Sequence, residues 1–169
     1  DELCVLNSMY SNNNAHVPAT LELHTGTQAF MRPSIGAWVN YGLGTENQNL
    51  PGFITICPPL TYGGQRNFGA AFLPAVYQGT MVGTNRIPAA EANFSNIDNR
   101  GTNPGSQRKL LDLIQAGNRE QLQRTGRDEN FEARIASFEL AYRMQAVAPD
   151  VIDLKGETKT TQELYGIDD

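Results

Sequence analysis

The sequence predicts an α/β domain: a mostly parallel sheet with flanking helices, followed by a C-terminal helical hairpin. Short apolar runs at Leu3–Leu6, Phe53–Cys57 and Thr80–Val82 have strand length and alternate with helix-like segments. That strand–helix–strand order favours parallel pairing. The chain is also divided by charge. Residues 1–99 hold 3 Lys/Arg and 6 Asp/Glu, and residues 100–169 hold 10 and 12. The second part repeats apolar residues at spacings of three and four, the period of a helix with one buried face.

Each element has its own signal. Leu3–Leu6 reads as a buried strand. Pro18 suits the first turn of a helix, where a missing N–H costs nothing, and Gly26 suits its end. His16 then stands at that helix's N-terminus. Arg32-Pro33-Ser34 leads into a second short helix through Trp38 and Tyr41, ended by Gly42 and Gly44. Phe53–Cys57 is the clearest strand and is stopped by Pro58-Pro59. Residues 60–72 read as a Gly-rich loop, residues 72–77 as one turn and Thr80–Val82 as a short strand. Residues 84–105 are irregular, with turn signals at Asn99-Arg100-Gly101 and Pro104-Gly105.

Ser106 can cap a helix over 107–125 with Leu110, Leu113 and Ile114 as its apolar stripe and Gly126 as its stop. Asp128 can cap a second helix over 129–147, with Phe131, Ile135, Phe138 and Tyr142 on one face and Pro149 ending it. Thr125-Gly126-Arg127 joins the two as an antiparallel hairpin, with Leu110, Ile114, Phe131, Ile135 and Phe138 turned inward. A short helix over Thr158–Tyr165 closes the chain.

With 169 residues and an apolar fraction of 40%, one domain with a core is expected over the whole chain, residues 1–99 as its strand-and-loop part and 100–169 as its helical part. Two or three strands make a thin sheet, and the chain opens directly on the first of them, so further strands are expected outside it. No apolar run approaches the ~20 residues that span a bilayer. A net charge of −5 argues against a nucleic-acid partner, which needs a basic surface. Cys4 and Cys57 are too few for a disulfide scaffold. They are two buried strand thiols or, if their strands are neighbours, one bridge.

Candidate chemistry gathers at Asn12–Gly26. A helix N-terminus offers backbone N–H groups and a dipole that favour an anion, and an imidazole there can serve as ligand or base. Asn12, Asn13 and Asn14 are either amide donors to that anion or turn formers. His24, eight residues on, points about 80° away from His16 on a helix and suits a surface or partly buried position. Arg32 is one of three basic residues in the first 99, with Arg66 and Arg86. It can bind an anionic ester or pair with a carboxylate. Asn40, Gln48 and Asn49 can hydrogen-bond a sugar stacked on Trp38 or Tyr41, although Trp38 on an apolar helix face is as readily core.

The run His16-Val17-Pro18-Ala19-Thr20-Leu21-Glu22-Leu23-His24-Thr25-Gly26 resembles the sulfatase signature: Cys-x-Pro-Ser-Arg, two free positions, two apolar residues, Thr-Gly. Pro18, Ala19, Leu23, Thr25 and Gly26 fit. His16 stands where sulfatases carry the nucleophilic cysteine, Thr20 where they carry arginine, and His24 where they carry an apolar residue. Together with Arg32–Trp38, Tyr41–Asn47, Leu50–Phe53 and Ala141–Gln145, the run is similar to the landmarks of the bacterial sulfatase-like family called domain of unknown function 1501, placed in the alkaline phosphatase superfamily. The resemblance covers nearly the whole chain.

The resemblance implies part of a three-layer sulfatase-like fold and a hydrolase of sulfate or phosphate esters, periplasmic or secreted. His16 is then the catalytic candidate and a metal ligand, and Asn14, Thr20 and Arg32 are substrate contacts. A divalent metal (zinc, calcium or magnesium) would polarise the ester, with most of its ligands outside this chain, since residues 1–99 contain no Asp-His pair or carboxylate cluster. The ligand would be an anionic ester or a sulfated carbohydrate. The alternative is a non-catalytic module that binds carbohydrate or protein on a hydrolase-like fold.

Overall fold

The computed structural model describes residues 4–87, 91–95, 97, 101–126 and 128–166. Among them the chain is mixed α/β, with five α-helices and a two-stranded parallel sheet. The helices are α1 (His16–Thr25), α2 (Ile35–Leu43), α3 (Pro104–Thr125), α4 (Glu129–Val151) and α5 (Lys159–Tyr165). The strands are β1 (Ile54–Ile56) and β2 (Thr80–Val82), in register Ile54 to Thr80, Thr55 to Met81 and Ile56 to Val82.

Local signals explain most boundaries. Gly26 ends α1 in the left-handed conformation (φ 70°), its N–H bonded to the Glu22 carbonyl. Ser34 caps α2, its hydroxyl accepting from the Ala37 amide. Thr158 does the same for α5 through Thr161. β1 and β2 arise where the sequence turns apolar and β-branched. Gly-rich residues 60–72 contain one 3-10 turn, Gly64–Phe68, and a second covers Ala75–Tyr77.

The core has two parts. Val82 and Phe94 pack with Met144 and Ala148 of α4, bordered by Leu50, Leu140 and Ile152. Leu21, Ala37, Phe68 and Ala70 are buried where α1, α2 and the first 3-10 turn meet. The helical hairpin therefore docks on β2 through α4, which also packs on the Ala75–Tyr77 turn.

Several expectations are corrected. Cys4–Leu6 is not a buried strand: these residues lie outside any helix or strand and are exposed, while Leu3 falls outside the described residues. A strand exists only against a partner, and among the described residues the ladder bonds of β1 go to β2 alone. Cys4 and Cys57 are unbridged, Cys4 exposed and Cys57 half-buried just past β1. The cap of α3 is Asn103, which accepts from the Ser106 amide at 2.9 Å. Pro104, read as a turn residue, opens the helix instead. Asp128 caps α4 as expected, accepting from the Phe131 amide, but Pro149 lies inside the helix.

The inward face of the hairpin differs most. Leu110, Leu113 and Ile114 are exposed by 56%, 72% and 41%, and Phe138 by 45%. What α3 buries is Gln115, whose amide donates to the Ile135 carbonyl at 3.0 Å and to Glu139. Arg108 adds a two-pronged pair to Glu139, both bonds 3.0 Å, beneath which lies the Tyr142 ring. A buried amide without partners is costly. The rotation that satisfies Gln115 and Arg108 is the one that turns the leucine stripe outward.

Candidate functional site

The loop before α1 is built by short polar side chains bonding to nearby groups. Asn13 accepts from the Ala15 amide at 2.9 Å, the local turn that asparagine favours. Its own amide donates to Gln28 at 3.1 Å. Gln28 and the Ser11 hydroxyl both donate to Glu22 Oε2, at 2.8 and 2.5 Å. Ser11, Asn13, Glu22 and Gln28 thus strap the loop along α1. Asn13 is committed to that strap, and Asn14 is exposed.

His16 is the first residue of α1. Its N-cap, Ala15, has no side chain able to accept from the first turn, and since Pro18 lacks an N–H the amides of His16 and Val17 are the two that can meet an external acceptor. The exposed imidazole lies against the Tyr62 ring, centroids 5.1 Å apart at 49°. Tyr62 is absent from the set of residues that the sequence singles out. Its one signal is its place just before Gly63-Gly64, a pair with φ of 97° and 60° that turns the chain back toward α1. A Cβ on Gly63 would stand 2.7 Å from Asn67 Oδ1.

Thr20 and His24 line a groove of about 440 Å³ together with Phe53–Ile56, Pro59 and Asn67. Asn67 donates to the Tyr62 carbonyl at 2.5 Å, while its Oδ1 is buried with no partner. An orphaned buried acceptor costs about 1–3 kcal/mol. Arg32 borders a different opening, a cavity of about 30 Å³ shared with Arg66, Leu21, Thr25 and Phe30. The four predicted site residues therefore divide. His16 and Thr20 share α1, Asn14 stands in the loop before it, and Arg32 sits with Arg66. Trp38, open to core or surface in the sequence, is exposed and makes edge contacts with Tyr41 and Phe72.

Among the described residues no three His, Cys, Asp or Glu side chains group as a metal site. A catalytic metal takes about three protein ligands, so His16 would need donors from outside that set to hold one.

A family model described as "Protein of unknown function (DUF1501)" matches residues 1–169, the full length of the chain. The chain belongs to the DUF1501 family. No curated protein and no solved structure matches it.

The polar strap of this DUF1501 chain has a consequence for pH dependence. Glu22 is held below the usual carboxylate range first by the Ser11 hydroxyl and then by the Gln28 amide. Glu139 is lowered chiefly by the Arg108 guanidinium. A carboxyl lowered on folding stabilises above its unfolded value, and that stability is lost as pH falls through the folded one. Stability should thus be flat from neutrality down to about pH 4.3, the ordinary glutamate value, and decline below it. Ser11→Ala should raise the Glu22 midpoint, read by NMR titration of its carboxyl carbon. An unchanged midpoint would show that the strap does not hold Glu22.

Proposed function

We propose that this DUF1501 chain is the central part of a sulfatase- or phosphatase-like hydrolase of the alkaline phosphatase superfamily, acting on sulfate or phosphate esters outside the cytoplasm. One observation supports this above the others. His16 opens a helix whose first-turn amides have no side-chain cap, beside the Tyr62 ring. Amides aimed outward at the positive end of a helix dipole suit an anionic oxygen, and an imidazole alongside can donate to the same group. In this reading His16 holds the nucleophile position of the sulfatase signature and Thr20 and Asn14 flank the ester. The formylglycine route, which requires cysteine or serine, is not used. A zinc, calcium or magnesium ion would take His16 and donors beyond this chain's described residues.

The test is a sulfate and phosphate titration followed through the His16 ring resonances. Saturable shifts that disappear in His16→Ala are expected. The chain by itself should cleave neither sulfate nor phosphate esters, with or without added divalent metal. Titrations that leave the His16 and Val17 resonances unmoved would remove the anion site and this reading with it.

A second reading has its own observation. Trp38, Tyr41, Phe72 and Tyr77 form a run of edge-to-face rings 5.2–6.1 Å apart, of which the first three are exposed. Such a platform suits a carbohydrate ring. Binding of a sulfated oligosaccharide lost in Trp38→Ala but kept in His16→Ala would favour a binding module over a hydrolase.

A further inference from the structure

α2 buries one polar side chain, Asn40. It is 6% exposed, and among the described residues its amide neither donates nor accepts a hydrogen bond. An unpaired buried amide costs about 1–3 kcal/mol, and asparagine is also a poor helix former, so packing alone gives no reason for it here. The amide is not sealed in. Among the described residues, the side-chain atom both shut off from solvent and unpartnered is Asn67 Oδ1. Asn40 instead lines a cavity of about 180 Å³, whose walls come from α2, residues 44–52, the Ala75–Tyr77 turn and α4. Gly52 keeps the place of that amide open: a Cβ there would overlap Asn40 Oδ1 and stand 2.9 Å from Thr45 Cβ.

The other groups on the cavity wall point to a ligand of definite chemistry. Leu140 and Arg143 are three residues apart, on one face of α4, and both line the cavity. Among the described residues Arg143 is the only charged member of the lining, and it makes no hydrogen bond or ion pair there. The carboxylate four residues before it, Glu139, is taken up by Arg108 through two bonds of 3.0 Å. The Gln48 amide and the Tyr77 hydroxyl, also in the lining, are likewise without a hydrogen bond among the described residues. Asn47 fixes the loop that carries Gln48, accepting from the Asn49 and Leu50 amides at 2.8 and 3.0 Å. A carboxamide both donates and accepts, which matches hydroxyl groups, and a guanidinium only donates and calls for an anion. With no acid in the lining, a cationic group on the ligand would find no partner.

We propose that this cavity binds a single anionic sugar unit, a ring that carries hydroxyl groups together with a carboxylate or a sulfate. Asn40 and Gln48 hydrogen-bond the ring hydroxyls, Arg143 pairs with the anionic group, and Leu140 and Tyr77 cover the apolar C–H face of the ring. Partnering the Asn40 amide removes the cost of burying it alone. No residue of α1 lines the cavity, so the site is separate from His16 and does not depend on the hydrolase reading. It shares Tyr77 with the run of exposed rings, but not Trp38, Tyr41 or Phe72.

NMR titration of the full chain with glucuronate and with a glucose sulfate ester tests it, with glucose and inorganic sulfate as controls. Saturable shifts of the Asn40 side-chain amide are expected in the millimolar range with the sugar anions. Saturation by just one of them supports the site too, and fixes its anion as carboxylate or sulfate. Glucose and inorganic sulfate, each lacking half of the contacts, should bind at least about tenfold more weakly. Arg143→Gln, at an exposed position, should weaken the sugar anion about tenfold, the loss expected for a charged hydrogen bond. Gly52→Ala, which displaces the amide and leaves Arg143 in place, should weaken it as well. No saturable shift with either sugar anion would overturn the proposal. So would binding that survives both Arg143→Gln and Asn40→Ala, or inorganic sulfate binding as tightly as the sugar anions. Binding lost in Trp38→Ala but kept in Asn40→Ala would also overturn it, by placing the sugar on the exposed rings and leaving the second functional reading intact.

Discussion

Leu21→Ala is expected to cost about 2–5 kcal/mol, the range for deleting a fully buried leucine and leaving part of its volume empty. Leu21 is 2% exposed and is the sole buried residue of α1. It is the residue through which that helix meets the Gly64–Phe68 turn: its Cδ2 would lie 3.1 Å from a Cβ on Gly63. Removing it loosens both His16 and Tyr62, so the urea midpoint should fall and the His16 ring resonances should sharpen together. Phe138→Ala is the matched control. The sequence pattern places Phe138 inside the hairpin, where its loss would cost about 3–5 kcal/mol. At 45% exposed it should cost under about 1 kcal/mol. A Leu21→Ala variant as stable as the parent would show that α1 is not packed as described.

The second large effect is steric. A Cβ on Gly36 would stand against the Phe53 ring, 2.5 Å from Cε2 and 2.6 Å from Cε1. Gly36 lies in the first turn of α2, and Phe53 directly precedes β1, its carbonyl accepting from the Thr80 amide at 2.9 Å. The contact is with the far end of the half-buried Phe53 ring, so that ring must swing from its place beside α2 or the helix must shift. Gly36→Ala should therefore destabilise by about 1–3 kcal/mol, as overpacking does, despite alanine's better helix propensity. Phe53→Leu makes room, so the double variant should lose less than the two single losses combined. A double-variant cycle by chemical denaturation measures that coupling. Additivity within about 0.5 kcal/mol would mean that the ring and the glycine do not touch.

The parts of this protein that its sequence determines are those whose signals act within one turn of chain. Pro18 and Gly26 bound α1 because a missing N–H and a left-handed residue are tolerated only at helix ends. Ser34 and Thr158 cap α2 and α5 through their own hydroxyls. Thr80–Val82 is a strand over the span its composition marks. His16 at the head of α1 is legible for the same reason. Tertiary structure decided whatever needs a distant partner. Cys4–Leu6 has strand composition but pairs with no strand among the described residues. Leu110, Leu113 and Ile114 have helical spacing, yet periodicity says only that a stripe exists, not which way it faces. Gln115 and Arg108 settle that through Ile135 and Glu139, twenty and thirty-one residues away. Tyr62 beside His16, and Asn67 in the groove, are likewise brought there by the Gly63-Gly64 turn, which no spacing in the His16 segment foretells. Backbone geometry is local and so can be read along the chain; burial and site assembly depend on which surfaces meet, and that is fixed only when the elements pack.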